Sequence, residues 1–255
     1  MGGPVVGIVV AIVLILVGNV IEGGHLGALI NIPAVLIVGG GTLGAVMVQY
    51  PMSTIKGAVG AVMGTLKKPA DDPHKILEEL VDYANRARRD GILALEKVAE
   101  GASDPFLKKA LMMAVDGADA TTVRETMELS ISQEEEHGED QCKALEAAGG
   151  YAPTIGIIGA VLGLIHVMSN LSDINAVGHG IASAFVATIY GVGIANIFAL
   201  PLGARVKLGL RAKVHTREMI LTGVLAIQAG MNPKLVRERL SEYLHDAHGK
   251  GEKKG

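Results

Sequence analysis

The chain has 255 residues and a net charge of −3, and it is 49% hydrophobic but only 3% aromatic, with 34 glycines and no tryptophan. That balance argues against an aromatic-rich soluble core and for closely packed membrane helices. The single Cys142 excludes an intramolecular disulfide or a cysteine zinc site. The 23 Lys and Arg fall in two blocks, Lys56–Lys143 and Arg205–Lys254, and residues 1–55 and 144–204 contain none. The positive-inside rule places both blocks in the cytoplasm. Acids interleaved with the bases argue against a nucleic-acid surface.

Residues 4–21 form a first apolar run, broken by Asn19. A signal peptide would need a basic leader, which Met1–Pro4 lacks. After the turn Glu22-Gly-Gly-His25 a second run covers 26–48, interrupted by Asn31 and Pro33. Proline is tolerated in a span where neighbouring helices satisfy the carbonyl it frees. A helix needs roughly 20 residues to cross hydrocarbon, so the two runs predict a hairpin with its turn outside and both ends inside. Gly39-Gly-Gly-Thr-Leu-Gly44 matches G-x-G-x-x-G. A dinucleotide fingerprint, however, follows a strand and opens a helix. Inside an apolar span with no base nearby, these glycines predict close helix packing.

Residues 51–150 are charged and amphipathic, and predict a compact cytoplasmic helical domain. Helical patterns cover Asp72–Leu80, where Ile76, Leu77, Leu80 and Val81 follow a capping aspartate, then Tyr83–Ala99, Asp104–Val115 and Ala120–Ala147, with breaks at Gly101 and Gly117. Glu134-Glu-Glu-His137 could suggest a metal cluster, but consecutive helical carboxylates diverge, so a solvated face is predicted.

Two further spans, 153–169 and 176–202, contain no Asp, Glu, Lys or Arg; the link between them carries Asp173. From 203 to 255 the chain predicts cytoplasmic helices: an amphipathic stretch 206–230, then Asn232-Pro233 as cap and first turn of a helix Lys234–Ala247, and a disordered tail Gly249–Gly255. The predicted fold is an all-α membrane protein. Four transmembrane helices form two hairpins, with a helical cytoplasmic domain inserted between helices 2 and 3.

Within the third and fourth spans, small residues recur four apart: Gly156 with Ala160, Gly159 with Gly163, and Ala187 with Gly191 and Ala195. In lipid that spacing lets backbones approach, and two hairpins leave such faces to be completed by oligomerisation. The polar residues Thr154, His166, His179, Ser183, Thr188, Tyr190 and Asn196, with Asn19, Asn31 and Thr42, read as internal hydrogen-bond partners. Thr188 and Tyr190 are two apart and do not share a face. Ion pathways through membranes ordinarily use an intramembrane carboxylate, which these spans lack. Either the chain conducts no ions or a partner supplies the acid.

Asn19-Val-Ile-Glu-Gly-Gly-His25, Gly39-Gly-Gly-Thr-Leu-Gly44, Tyr151-Ala-Pro-Thr-Ile-Gly156 and Ala187-Thr-Ile-Tyr-Gly191 resemble the bacterial flagellar stator subunits of the MotA/PomA family, in order and along essentially the whole chain. The resemblance implies an inner-membrane protein with both termini cytoplasmic, in a ring thought to be pentameric around a dimer of the single-span MotB/PomB partner. That partner carries the ion-binding Asp. In Arg88-Arg-Asp-Gly-Ile-Leu-Ala-Leu-Glu96, Arg88 and Glu96 match the family's pair that engages the rotor protein FliG, with Arg89 as the alternative to Arg88; an internal surface salt bridge would be the bland reading. Pro153 and Pro201 match the prolines flanking the third and fourth helices, and Thr188 the threonine near the partner's Asp, with Tyr190 in the same motif. Ala160 follows Gly159 where sodium-type members carry Thr. A methyl cannot replace the water shell of sodium, so Ala160, together with the following Leu164-Ile-His166, resembles proton-type members.

No metal motif, nucleophile elbow or phosphate loop is present, so neither enzyme nor cofactor is expected, and lipid is the remaining contact. Two other readings are an ExbB/TolQ-type energiser of outer-membrane transport, whose large loop follows its first span, and a transporter acting alone.

Overall fold

The computed structural model describes residues 3–66, 72–169, 171–172 and 174–249, and among them every regular element is helical. Asp173, residues 250–255 of the expected disordered tail and the side chain of His179 lie outside the described residues. The chain divides into two compact units, Met1–Lys68 with Gly138–Lys207, and Pro69–His137 with Leu208–Gly255. Among the described residues, four helices are long and apolar enough to cross a membrane: Gly3–Ile21, Leu26–Gln49, Ala120–Ser169 and Gly180–Gln228.

In the first unit, α1 (Gly3–Ile21) buries none of its side chains. Gly23, at φ +85, makes the turn that follows, and a 3-10 turn spans Leu26–Leu29. The second run does not enter its helix at residue 26. Asn31 caps α2 (Ile32–Val35) by accepting from Ala34 N at 3.0 Å, with Pro33 in the first turn where its missing N–H costs nothing. A π-helical turn, Leu36–Gly40, leads into α3 (Gly41–Gln49), and α4 (Met52–Leu66) follows Pro51.

The third and fourth runs belong to longer helices than the sequence predicts. α8 (Ala120–Ser169) passes through Pro153 without a break. Proline there forfeits one backbone hydrogen bond and crowds the preceding turn, and the close seam described below holds the helix together across it. α9 (Ile174–Gly193) continues through a π turn, Ile194–Ala199, into α10 (Leu200–Gln228). Pro201 falls just after that π turn, where the ladder is already displaced: Leu200 N–H reaches Ala195 O.

The second unit has one apolar core. It gathers Ile76, Leu77 and Leu80 of α5 (Pro73–Asp90), Leu107 and Leu111 of α7 (Pro105–Val115), the first turns of α8, Met219–Ile227 of α10, and Val236 and Leu240 of α11 (Pro233–Gly249). Three of its helices open with the same device, an Asx side chain accepting from the backbone and Pro at the next position: Asp72-Pro73, Asp104-Pro105 and Asn232-Pro233. The expected helix Tyr83–Ala99 is broken. Gly91, at φ +85, ends α5, and a 3-10 turn, Ile92–Leu95, precedes the short α6 (Glu96–Ala99). Gly117, at φ +86, likewise separates α7 from α8.

Candidate functional site

The seam between α8 and α9 is built from residues too small to keep two backbones apart. A Cβ added at Gly156 would stand 3.0 Å from Ala187 O and 3.2 Å from Gly191 Cα; one at Gly159, 2.9 Å from Ala187 Cβ; one at Gly163, 3.0 Å from Ala184 Cβ. At Gly191 it would meet Ala152 O and stand 3.1 Å from Gly156 Cα. Ala187 and Ala195 are buried, and Ala160 and Pro153 are half-buried on α8.

An adjacent face of α9 is pinned to α2 by hydrogen bonds among polar residues that the sequence marks as internal partners without showing which of them pair. Asn31 Nδ2 donates to Ser183 Oγ at 2.7 Å, Asn31 N donates to Tyr190 Oη at 3.3 Å, and Tyr190 Oη donates to Leu29 O. Ala34 and Val38 pack against Val186 and Ala187 beside them. The Tyr190 hydroxyl is thus spent on the entry of the second span. Asx-x-Pro at 31–33 was the available signal, because it reads as a helix cap.

Thr188 is half-buried and donates to Ala184 O at 3.4 Å, on the border of an exposed apolar stripe formed by Phe185, Ile189 and Val192. Pro201 is exposed. Neither apolar segment carries a carboxylate, so the seam offers packing surfaces and hydroxyls without an acid of its own.

The second unit carries most of the charges. Arg88 and Glu96 are exposed and make no ion pair among the described residues, whereas Arg89 Nε lies 3.3 Å from Asp90. Gly91 places the two on different elements, Arg88 in the last turn of α5 and Glu96 at the start of α6.

Deeper in the unit, Asp104 Oδ1 accepts from Phe106 N at 2.7 Å, Leu107 N at 3.0 Å and the Arg217 guanidinium. Arg217 also donates to Glu134 at 3.3 Å and lies 4.9 Å from the centre of the Phe106 ring; Lys213 pairs with the other Glu134 oxygen. Glu134 therefore departs from the solvated face expected for Glu134-Glu-Glu-His137, although Glu135, Glu136 and His137 are exposed. No group of three metal-binding side chains occurs among the described residues. Burial pushes the Asp104 carboxyl up, but Arg217 and the two backbone N–H groups outweigh it and hold it below the ordinary aspartate range. Burial pushes the Glu134 carboxyl up as well, but Lys213 and Arg217 outweigh it and hold it below the ordinary range.

Residues 5–91 match the motility protein A N-terminal family and residues 98–219 the MotA/TolQ/ExbB proton channel family. Motility protein A of Bacillus subtilis (strain 168) is 36% identical over 243 residues, 94% of this chain and 89% of that protein. The chain belongs to the motility protein A family. Its fold is likewise that of solved motility protein A complexes. The MotAB structure of C. jejuni superposes with a TM-score of 0.90 at 30% identity, covering 98% of both chains. The flagellar MotAB stator complex from Bacillus subtilis superposes with a TM-score of 0.87 at 34% identity, covering 94% of both.

Proposed function

We propose that this chain is the stator subunit of a flagellar motor, a multi-pass inner-membrane protein that forms an ion channel with a MotB-type partner. The observation that carries this reading is the match over nearly the whole chain to proteins solved as MotAB complexes, joined to apolar segments that lack an acid. The N-terminal match over residues 5–91 favours the motility branch over the ExbB/TolQ branch, which shares only the broader family.

In the finer reading, the four apolar segments form two hairpins, both termini are cytoplasmic, and five copies surround a dimer of the partner in the lipid bilayer. A proton binds the partner's Asp beside the exposed stripe of α9, with Thr188 close by and Pro153 and Pro201 flanking the pathway. Neutralising that carboxylate removes its electrostatic and solvation constraint, so the ring is free to shift against the partner. Ala160 supports protons over sodium, since its methyl offers no oxygen to a dehydrated cation. Arg88 and Glu96 hand the step to FliG, and the lack of an ion pair to either among the described residues supports that role, with Arg88 preferred to the Asp90-bound Arg89.

The test is ion flux in liposomes. Flux is expected down a proton gradient, not a sodium gradient, and only when the single-span partner is present. Equal proton flux from this chain alone would sink the reading. For the rotor contact, Arg88→Glu combined with Glu96→Lys is expected to cost on the order of 2 kcal/mol in rotor engagement through like-charge repulsion. Motility should collapse while flux is preserved, and wild-type torque in that variant would remove the assignment.

A further inference from the structure

The segment joining α5 to α6 holds one apolar side chain out of the core. Gly91, at φ +85, ends α5 in a conformation that strains any residue with a Cβ. In the 3-10 turn that follows, Leu95 is 1% exposed and Ile92 packs against the core, so the turn is anchored at both ends. Leu93, between them, is 70% exposed, more than any other large hydrophobic residue described in the second unit. Its exposure is therefore imposed by the backbone and is not a product of fraying.

The flanks of this turn carry unspent charge. Arg86 is tied to Asp82, Arg89 to Asp90, Arg124 to Glu128, Arg217 to Asp104 and Arg237 to Glu78. Arg88 on one side of Leu93 and Glu96 on the other make no such pair among the described residues. An exposed leucine between two free charges of opposite sign has the form of a contact centre: an apolar anchor inside a polar rim.

We propose that Leu93 is the apolar anchor of the rotor contact, seated in a recess of the rotor protein bracketed by an acid opposite Arg88 and a base opposite Glu96. The proposal rests on assigning those two residues to the rotor. Charges alone steer and set register in water but hold weakly, whereas a desolvated leucine between them supplies grip over a very short range. Size selects the occupant. One turn and its flanks fall well short of the about 1,200 Å² that stable association buries. By itself this turn cannot hold a permanent contact, and a contact made and released at every step, steered by the opposite charges at its two ends, is a good fit.

The test compares Leu93→Ser, Leu93→Asp and Leu93→Met in motile cells and in partner-loaded liposomes. Leu93→Ser is expected to shorten stator dwell at the working motor about tenfold, and Leu93→Asp to shorten it further. Leu93→Met, similar in volume, should retain most of it. Partner-dependent flux and the amount of assembled complex should equal wild type in all three. A photo-cross-linking residue at 93 should trap the rotor protein, and Arg88→Glu should abolish that adduct. Wild-type dwell in both polar variants overturns the anchor and leaves the stator reading standing. Adducts only with a second copy or with lipid overturn it too, as does loss of assembled complex in Leu93→Ser. Absence of partner-dependent flux in the unmutated protein instead strikes the stator reading, and the anchor with it.

Discussion

Arg217→Ala is expected to destabilise the second unit by about 3–5 kcal/mol, the usual consequence of removing one partner of a buried ion pair. The Asp104 side chain is 2% exposed and that of Arg217 9%. Asp104 Oδ2 already lacks a hydrogen-bond partner, so removing the guanidinium leaves a carboxylate compensated only by two backbone N–H groups. The variant also loses the cation over Phe106. Asp104→Asn should cost less, because its amide oxygen can still cap α7. The two sites are in contact, so the effects of Asp104→Asn and Arg217→Ala should fall short of additive.

The pH dependence separates this account from simple loss of packing. In the unmutated protein the Asp104 carboxyl lies below its unfolded value of about 3.9. Its contribution is therefore complete above that pH and is lost as pH falls through the depressed folded value. Without Arg217, only the two backbone N–H groups are left to oppose burial, so the carboxyl rises from its depressed position. That variant should therefore lose less stability than the unmutated protein as pH falls below about 4, a shallower slope. Hydrogen exchange at the Phe106 and Leu107 amides across pH 3–7 reads both; parallel slopes in the two proteins would contradict the role given to Arg217.

Gly191→Val is the second large effect. Its Cβ would land on Ala152 O, a backbone atom that cannot rotate away. Overpacking ordinarily costs 1–3 kcal/mol, and a backbone clash should reach or exceed roughly the upper end of that range. α8 and α9 would have to separate, with loss of partner-dependent flux. Gly193→Ala is the control: its Cβ meets nothing within 4 Å in the chain, and alanine favours helix by about 1 kcal/mol. If Gly191→Val assembled and conducted as well as Gly193→Ala, the close seam would not be what sets the pathway.

The sequence disclosed what periodicity and composition encode. The apolar face at Ile76, Leu77 and Leu80, and the caps at Asp72 and Asn232, are local patterns, and they mark real helices. Four features escaped because they are not local. Pro153 reads as a boundary, but one missing hydrogen bond does not end a helix that a neighbour holds. A glycine in a helical pattern is tolerated or terminating according to its φ, and only the fold reveals φ +85 at Gly91. Arg217 and Asp104 are too far apart in sequence for any spacing rule to pair them, and the Asn31–Ser183–Tyr190 pin has the same character.

The π turn at Ile194–Ala199 has an arithmetical consequence. A regular helix advances about 100° per residue, which would set Gly203 roughly 120° around the axis from Gly191. One residue absorbed by the wider turn reduces that offset to roughly 20°. Both glycines accordingly look toward α8, Gly191 against Ala152 and Gly156, and Gly203 with a would-be Cβ 3.3 Å from Leu145 Cβ. A local irregularity in bonding thus keeps the long contact line straight, and residue spacing counted on one side of 194–199 is out of phase with spacing counted on the other.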